Sequence, residues 1–127
     1  MSKRPLKLHF RLPPYESSDR NKWRRRIHAA ALAKRANVRY EPTDKLEIKV
    51  ALYFESRALS WHDVDNRLKD VLDALQGRAG GPKEVHDLEP IIPNDRQVYR
   101  VVVEKREPPR QSRGYGHVTI RWLTRKK

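Results

Sequence analysis

The 127-residue chain contains no cysteine, which removes disulfide bridges, thiolate zinc sites and cysteine nucleophiles at one stroke. Long apolar runs are missing as well. No stretch comes near the roughly 20 residues that a membrane-spanning helix requires, and no segment has the form of a signal peptide, so a soluble, cytoplasmic protein without a membrane partner is expected. Acidic charge is scarce at both ends. Residues 1–40 carry 12 Lys or Arg against 2 Asp or Glu, and residues 106–127 carry 7 against 1. The centre reverses the sign: residues 41–105 hold 10 basic and 13 acidic side chains, within an overall net charge of +13. Basic blocks flanking an acidic centre, with a pI near 10.4, are the electrostatic footprint of nucleic-acid binding, where released counterions supply much of the affinity. Ribosomal proteins and membrane-surface binders share that total charge, so charge alone does not choose among them.

The low mean hydropathy of −0.94 reflects surface charge, because 37% of the residues are apolar and they fall in periodic segments. The length suits one domain with a two-layer core, so residues 1–127 are taken as a single unit. Leu6, Leu8, Phe10 and Leu12 alternate with Lys7, His9 and Arg11, as in a strand with one buried face. Ser17, Ser18 and Asp19 offer caps for a helix over about residues 21–37, in which Trp23, Ile27, Ala30, Ala31 and Lys34 follow helical spacing. Leu46, Ile48, Val50, Leu52 and Phe54 make the clearest strand. A second helix is expected over about 66–76, where Leu68, Val71, Leu72 and Leu75 repeat and Gly77 ends the run. Residues 78–93 read as a loop insertion. Strands over about 98–105 and 116–123 then follow, joined by a turn-rich segment that predicts a hairpin, and Arg125, Lys126 and Lys127 form a basic tail. The order β-α-β-α-β-β implies an α+β, two-layer domain with helices packed on a mixed sheet.

Chemistry concentrates in the acidic centre. Asp63 and Asp65 precede the second helix, Lys69 lies one turn beyond Asp65, and Asp95 immediately precedes the third strand. Three carboxylates converging above one sheet edge would suit Mg²⁺ or Mn²⁺, which bind hard oxygens and substrate phosphates, while Lys69 could hold the scissile phosphate. A plainer role is available for each: an aspartate before an apolar run caps a helix, Asp65 and Lys69 form an ordinary surface pair, and Asn94-Asp95 makes a turn.

Asp63-Val64-Asp65-Asn66-Arg67-Leu68-Lys69, continued through Asp73-Ala74-Leu75-Gln76-Gly77, and Asn94-Asp95-Arg96-Gln97-Val98 closely resemble the signature of the RusA-like Holliday junction resolvases. The resemblance covers residues 63–105 well and the N-terminal segment more loosely. It implies a Mg²⁺-dependent endodeoxyribonuclease, with Mn²⁺ able to substitute, that acts as a homodimer on branched, four-way DNA. It assigns the metal-binding catalytic carboxylates to Asp63, Asp65 and Asp95 and the catalytic lysine to Lys69. Two departures stand out: Trp61-His62 replaces the family's basic residue and proline, and residues 78–93 exceed the usual short link and contain His86, Asp87 and Glu89. DNA contacts are expected from Lys22, Arg24, Arg25 and Arg26 on the first helix and from Arg106, Arg110 and Arg113 beside Tyr115. Trp23 and Trp122 are expected in the core, and His9, His28 and His117 have no ligand spacing. The competing reading is a non-catalytic basic protein that binds DNA or structured RNA.

Overall fold

A computed structural model describes residues 7–13, 19–35, 38–53, 64–78, 88–106 and 116–123; for Arg20, Val64 and Asp65 it describes the backbone only. Its elements are β1 (Lys7–Leu12), α1 (Arg20–Arg35), β2 (Leu46–Tyr53), α2 (Val64–Leu75), a 3₁₀ turn (Asp95–Gln97), β3 (Val98–Arg106) and β4 (Gly116–Trp122). This is the expected α+β layering.

Strand alternation sets one face of the sheet under the helices. Leu8, Phe10 and Leu12 of β1, Leu46, Ile48, Val50 and Leu52 of β2, and Val118 and Ile120 of β4 are all buried there. Trp23, Ile27 and Ala31 of α1 repeat every four residues and close the core from above, together with Val71, Ala74 and Leu75 of α2. Trp23 is a core residue as expected, and its indole N–H donates to the Pro13 carbonyl at 3.1 Å. The cap of α1 is Asp19, whose carboxylate accepts from the Lys22 backbone N–H at 3.0 Å. Gly77 ends α2 with φ +84, and a Cβ there would collide with the Leu88 carbonyl.

The strand order corrects the expected hairpin. The four strands lie β1-β4-β2-β3, so β2 separates β3 from β4. β4 runs antiparallel to both β1 and β2, whereas β3 is parallel to β2 after the crossover through α2. The reason is burial: Val118 and Ile120 on β4 are fully enclosed between two ladders, while β3 sits at the edge with Tyr99 and Val101 exposed. Gly116 allows β4 to lie close to the Ala51 carbonyl of β2, where a Cβ would clash. Residues 88–93, within the segment expected to be a loop, are irregular, yet part of them packs inward. Ile91 and Ile92 enter the core and donate backbone N–H groups to the Leu75 carbonyl at 2.7 and 3.1 Å, satisfying the end of α2. His86 and Asp87 lie outside the described residues, as do Trp61 and Tyr115. No helix among the described residues is long and apolar enough to cross a membrane.

Candidate active site

The carboxylate motif falls where the chain enters α2. Asp63 lies outside the described residues, and the backbone of Asp65 belongs to the first turn of the helix. Lys69 follows one turn later with its side chain 67% exposed, and its Nζ lies 3.8 Å from Asp73, a further turn along. Asp65, Lys69 and Asp73 thus occupy one stripe of α2. The neighbouring stripe is structural. Asp70 is fully buried and accepts from Arg24 Nε and a terminal nitrogen at 3.1 and 2.9 Å, and the same guanidinium lies 3.4 Å from Asp73. Arg67 completes that cluster at 3.5 Å from Asp70. Asp73 therefore pairs with two basic neighbours, Arg24 and Lys69.

Asp95 is held by a small frame of amides. Asn94 caps the 3₁₀ turn, its side chain accepting from the Arg96 N–H at 2.8 Å, and Gln97 returns the bond by accepting from the Asn94 N–H at 3.0 Å. The buried Gln97 amide also donates to the carbonyls of Glu41 and Asp44 at 2.7 and 2.9 Å, which fastens the turn to the segment leading into β2. Asp95 itself donates its N–H to Gln76 Oε1 at 3.3 Å, and Gln76 in turn donates to the Leu72 carbonyl at 3.2 Å. With its backbone so anchored, the Asp95 carboxylate is left exposed. Gln76 and Gln97 were not singled out from the sequence. The Asn94 to Gln97 spacing is a capping-box pattern that could have marked the second; nothing local marks the first.

These anchors place Asp95 beside the C-terminal half of α2 and Asp65 at its start. The axial separation follows from 1.5 Å per residue: Leu72 and Gln76 stand roughly 10 and 16 Å below Asp65. Among the described residues no group of three or more His, Asp or Glu could hold a metal ion, and the side chains of Asp63 and Asp65 are not among those described. The donor set nonetheless suits a hard cation, since Asp95 presents an exposed carboxylate that makes no ion pair among the described residues, and Lys69 supplies an ammonium one turn beyond Asp65.

The basic residues divide. Lys22, Arg25 and Arg26 are exposed on α1, but Arg24 is drawn into the contact between the helices. Arg106 closes β3 and pairs with Glu104, which raises the guanidinium pKa above its ordinary value. Arg110 and Arg113 lie outside the described residues. His28 is a structural tether: its imidazole and the Glu89 carbonyl share a hydrogen bond of 2.6 Å. Glu89 pairs with Arg35 at 2.7 Å, which holds its carboxyl below the usual range.

Compared with known proteins, residues 2–121 match the model of a family described as Endodeoxyribonuclease RusA. No curated protein shows a significant match to the chain.

Proposed function

The chain belongs to the RusA family of endodeoxyribonucleases, enzymes that resolve Holliday junctions, and from that premise we propose that it is a Mg²⁺-dependent homodimer that nicks four-way DNA symmetrically. The observation that carries this reading is that the family match spans both elements of the acidic motif, with Lys69 exposed one turn after Asp65 and Asp95 exposed on a pinned turn. Asp63, Asp65 and Asp95 would hold the ion. The chemistry a bound divalent cation supplies there is neutralisation of the charge that grows on a transferring phosphoryl group.

The protein's own groups do the rest. Lys69 offers an ammonium to the scissile phosphate, and its contact with Asp73 keeps that ammonium on the Asp65 stripe of α2. Arg25, Arg26 and Lys22, from the first half of α1, grip backbone phosphates on the arms. Gln97 and Gln76 fix the position from which Asp95 acts. A four-way junction is two-fold symmetric, so two equivalent sites are needed, and an isologous dimer supplies them. The axial gap along α2 suggests how. Two copies with their α2 helices antiparallel would bring the Asp95 end of one to the Asp65 end of the other, completing each site in trans.

Labelled four-way junction, duplex and RNA, each incubated with Mg²⁺ and with EDTA, test the activity. Symmetric nicks should appear in the junction only with metal, and Asp65→Asn should bind the junction tightly without cutting it. Unchanged cleavage by Asp65→Asn and by Asp95→Asn would leave the motif as caps and turns. Mixing those two inactive variants tests the sharing: in trans, each mixed dimer regains one intact site and nicks one strand, whereas sites built within one chain stay dead.

A further inference from the structure

The sheet face turned away from both helices is covered by no element among the described residues, and its side chains form an ordered grid. The ladders align Lys7, Arg121, Glu47 and Arg100 in one row, then His9, Thr119, Lys49 and Val102, then Arg11, His117, Ala51 and Glu104, with Tyr53 and Arg106 closing the pattern. Six Lys or Arg stand against two Glu, a net of +4. The cations are set around a softer middle. There the His9 and His117 rings stack at 5.3 Å and 17°, His9 Nδ1 shares a 2.7 Å hydrogen bond with Thr119, and Tyr53 meets the edge of His117 at 5.5 Å. A shallow concavity of about 410 Å³ opens over His9, His117, Thr119, Lys49, Tyr53 and Arg100.

The arginines are aimed in advance. Glu47 is 2% exposed, and its two carboxylate oxygens hold Arg121 Nε at 2.7 Å and Arg100 Nε at 3.2 Å, while the two guanidinium side chains remain 48% and 62% exposed. Each guanidinium so held on one side keeps its remaining N–H donors for an outside acceptor. A ring platform framed by cations is the arrangement that binds unpaired nucleic acid, with bases on the rings and phosphates on the frame. Burial and the neighbouring His9, Arg11 and Arg106 lower the His117 pKa, so its ring stays neutral near pH 7 and suited to stacking. A second copy of the chain is the poorer occupant, because a two-fold contact would press two faces of like charge together.

We propose that this open sheet face is a second nucleic-acid surface, which takes unpaired DNA by stacking a base on His9 and holding the backbone with Lys49, Arg100 and Arg121. It extends the nuclease reading without needing its metal site, so the two can fail separately. Fluorescence anisotropy of a labelled oligothymidylate, measured in EDTA so that nothing is cut, reads binding apart from cleavage, and substitutions confined to this face isolate its share. Against the unmodified protein, His9→Ala should weaken binding at least about fivefold. Lys49→Ser and Arg100→Ser should each lower the slope of log affinity against log salt by about 0.7. Lys49 is exposed, so its variant carries the test even if His9→Ala proves unstable. Oligothymidylate affinity unchanged in all three variants overturns the proposal. So does a change confined to duplex binding, or a change in oligomeric state with binding intact, which would make the face a contact between copies.

Discussion

Gln97 has no acid, base or metal-binding group, yet its removal should cost both stability and cleavage. Three hydrogen bonds converge on its side chain: it accepts from Asn94 N–H at 3.0 Å and donates to the Glu41 and Asp44 carbonyls at 2.7 and 2.9 Å. A typical net hydrogen bond contributes about 0.5–1.5 kcal/mol, and a buried group left without its partner costs about 1–3 kcal/mol. Gln97→Ala should therefore destabilise the fold by about 2–4 kcal/mol, after allowing for water reaching the partly exposed turn. For a domain of this size each kcal/mol moves the melting temperature by roughly 3–5 °C, so a drop of about 6–20 °C is expected. Gln97→Glu keeps the acceptor for Asn94 but turns a carboxylate toward two carbonyls, so it should be no better. The functional consequence is separable. Measured well below the variant's melting temperature, junction cleavage should still fall about 100-fold, because Asp95 is no longer fixed and a displacement of about 1 Å is enough for that loss. A Gln97→Ala protein with wild-type melting and cleavage would refute the claim that this amide positions Asp95.

Three further outcomes are expected. Arg24→Met should destabilise the protein by about 2–4 kcal/mol in denaturant titration, because the fully buried Asp70 carboxylate loses its main partner; a milder loss would mean that Arg67 compensates. Gly77→Ala should cost more than about 1 kcal/mol by thermal melting, since φ +84 disfavours any Cβ and this one meets the Leu88 carbonyl. Glu47 sets an acid limit: its folded pKa lies below the ordinary 4.5, with the Arg121 hydrogen bond as the largest cause and burial opposing it. The stability it contributes is complete above pH 4.5 and drains away as pH falls through the lower folded value, so Glu47→Gln should flatten the stability profile below pH 4.5 and leave its shape above unchanged.

Much of the local architecture was legible before any coordinates. Alternation marked β1 and β2, Asp19 and Gly77 marked helix ends, and the Asp63 to Lys69 spacing marked the start of α2 as chemically distinct. Each of these signals is carried by neighbours within one segment: a two-residue or 3.6-residue period, a cap, a glycine at positive φ.

What the periodicities could not show is which segments become neighbours. A strand's alternation reports that one face is buried but not which strand lies beside it, so the turn-rich segment after β3 suggested a hairpin that the sheet does not contain. β4 instead lies between β1 and β2 because a strand enclosed on both edges buries Val118 and Ile120 completely. For the same reason the loop that carries Ile91 and Ile92 was legible as loop, but not that these two apolar residues complete the core. Arg24 looked like a DNA contact until the packing of α1 on α2 set it against Asp70, and Gln76 and Gln97 acquired their role only when distant carbonyls and amides arrived beside them. The sequence by itself determined the elements and the chemical character of the site; long-range packing alone decided the neighbours, the anchors of Asp95 and the sheet face left open, because those depend on contacts between residues far apart in the chain.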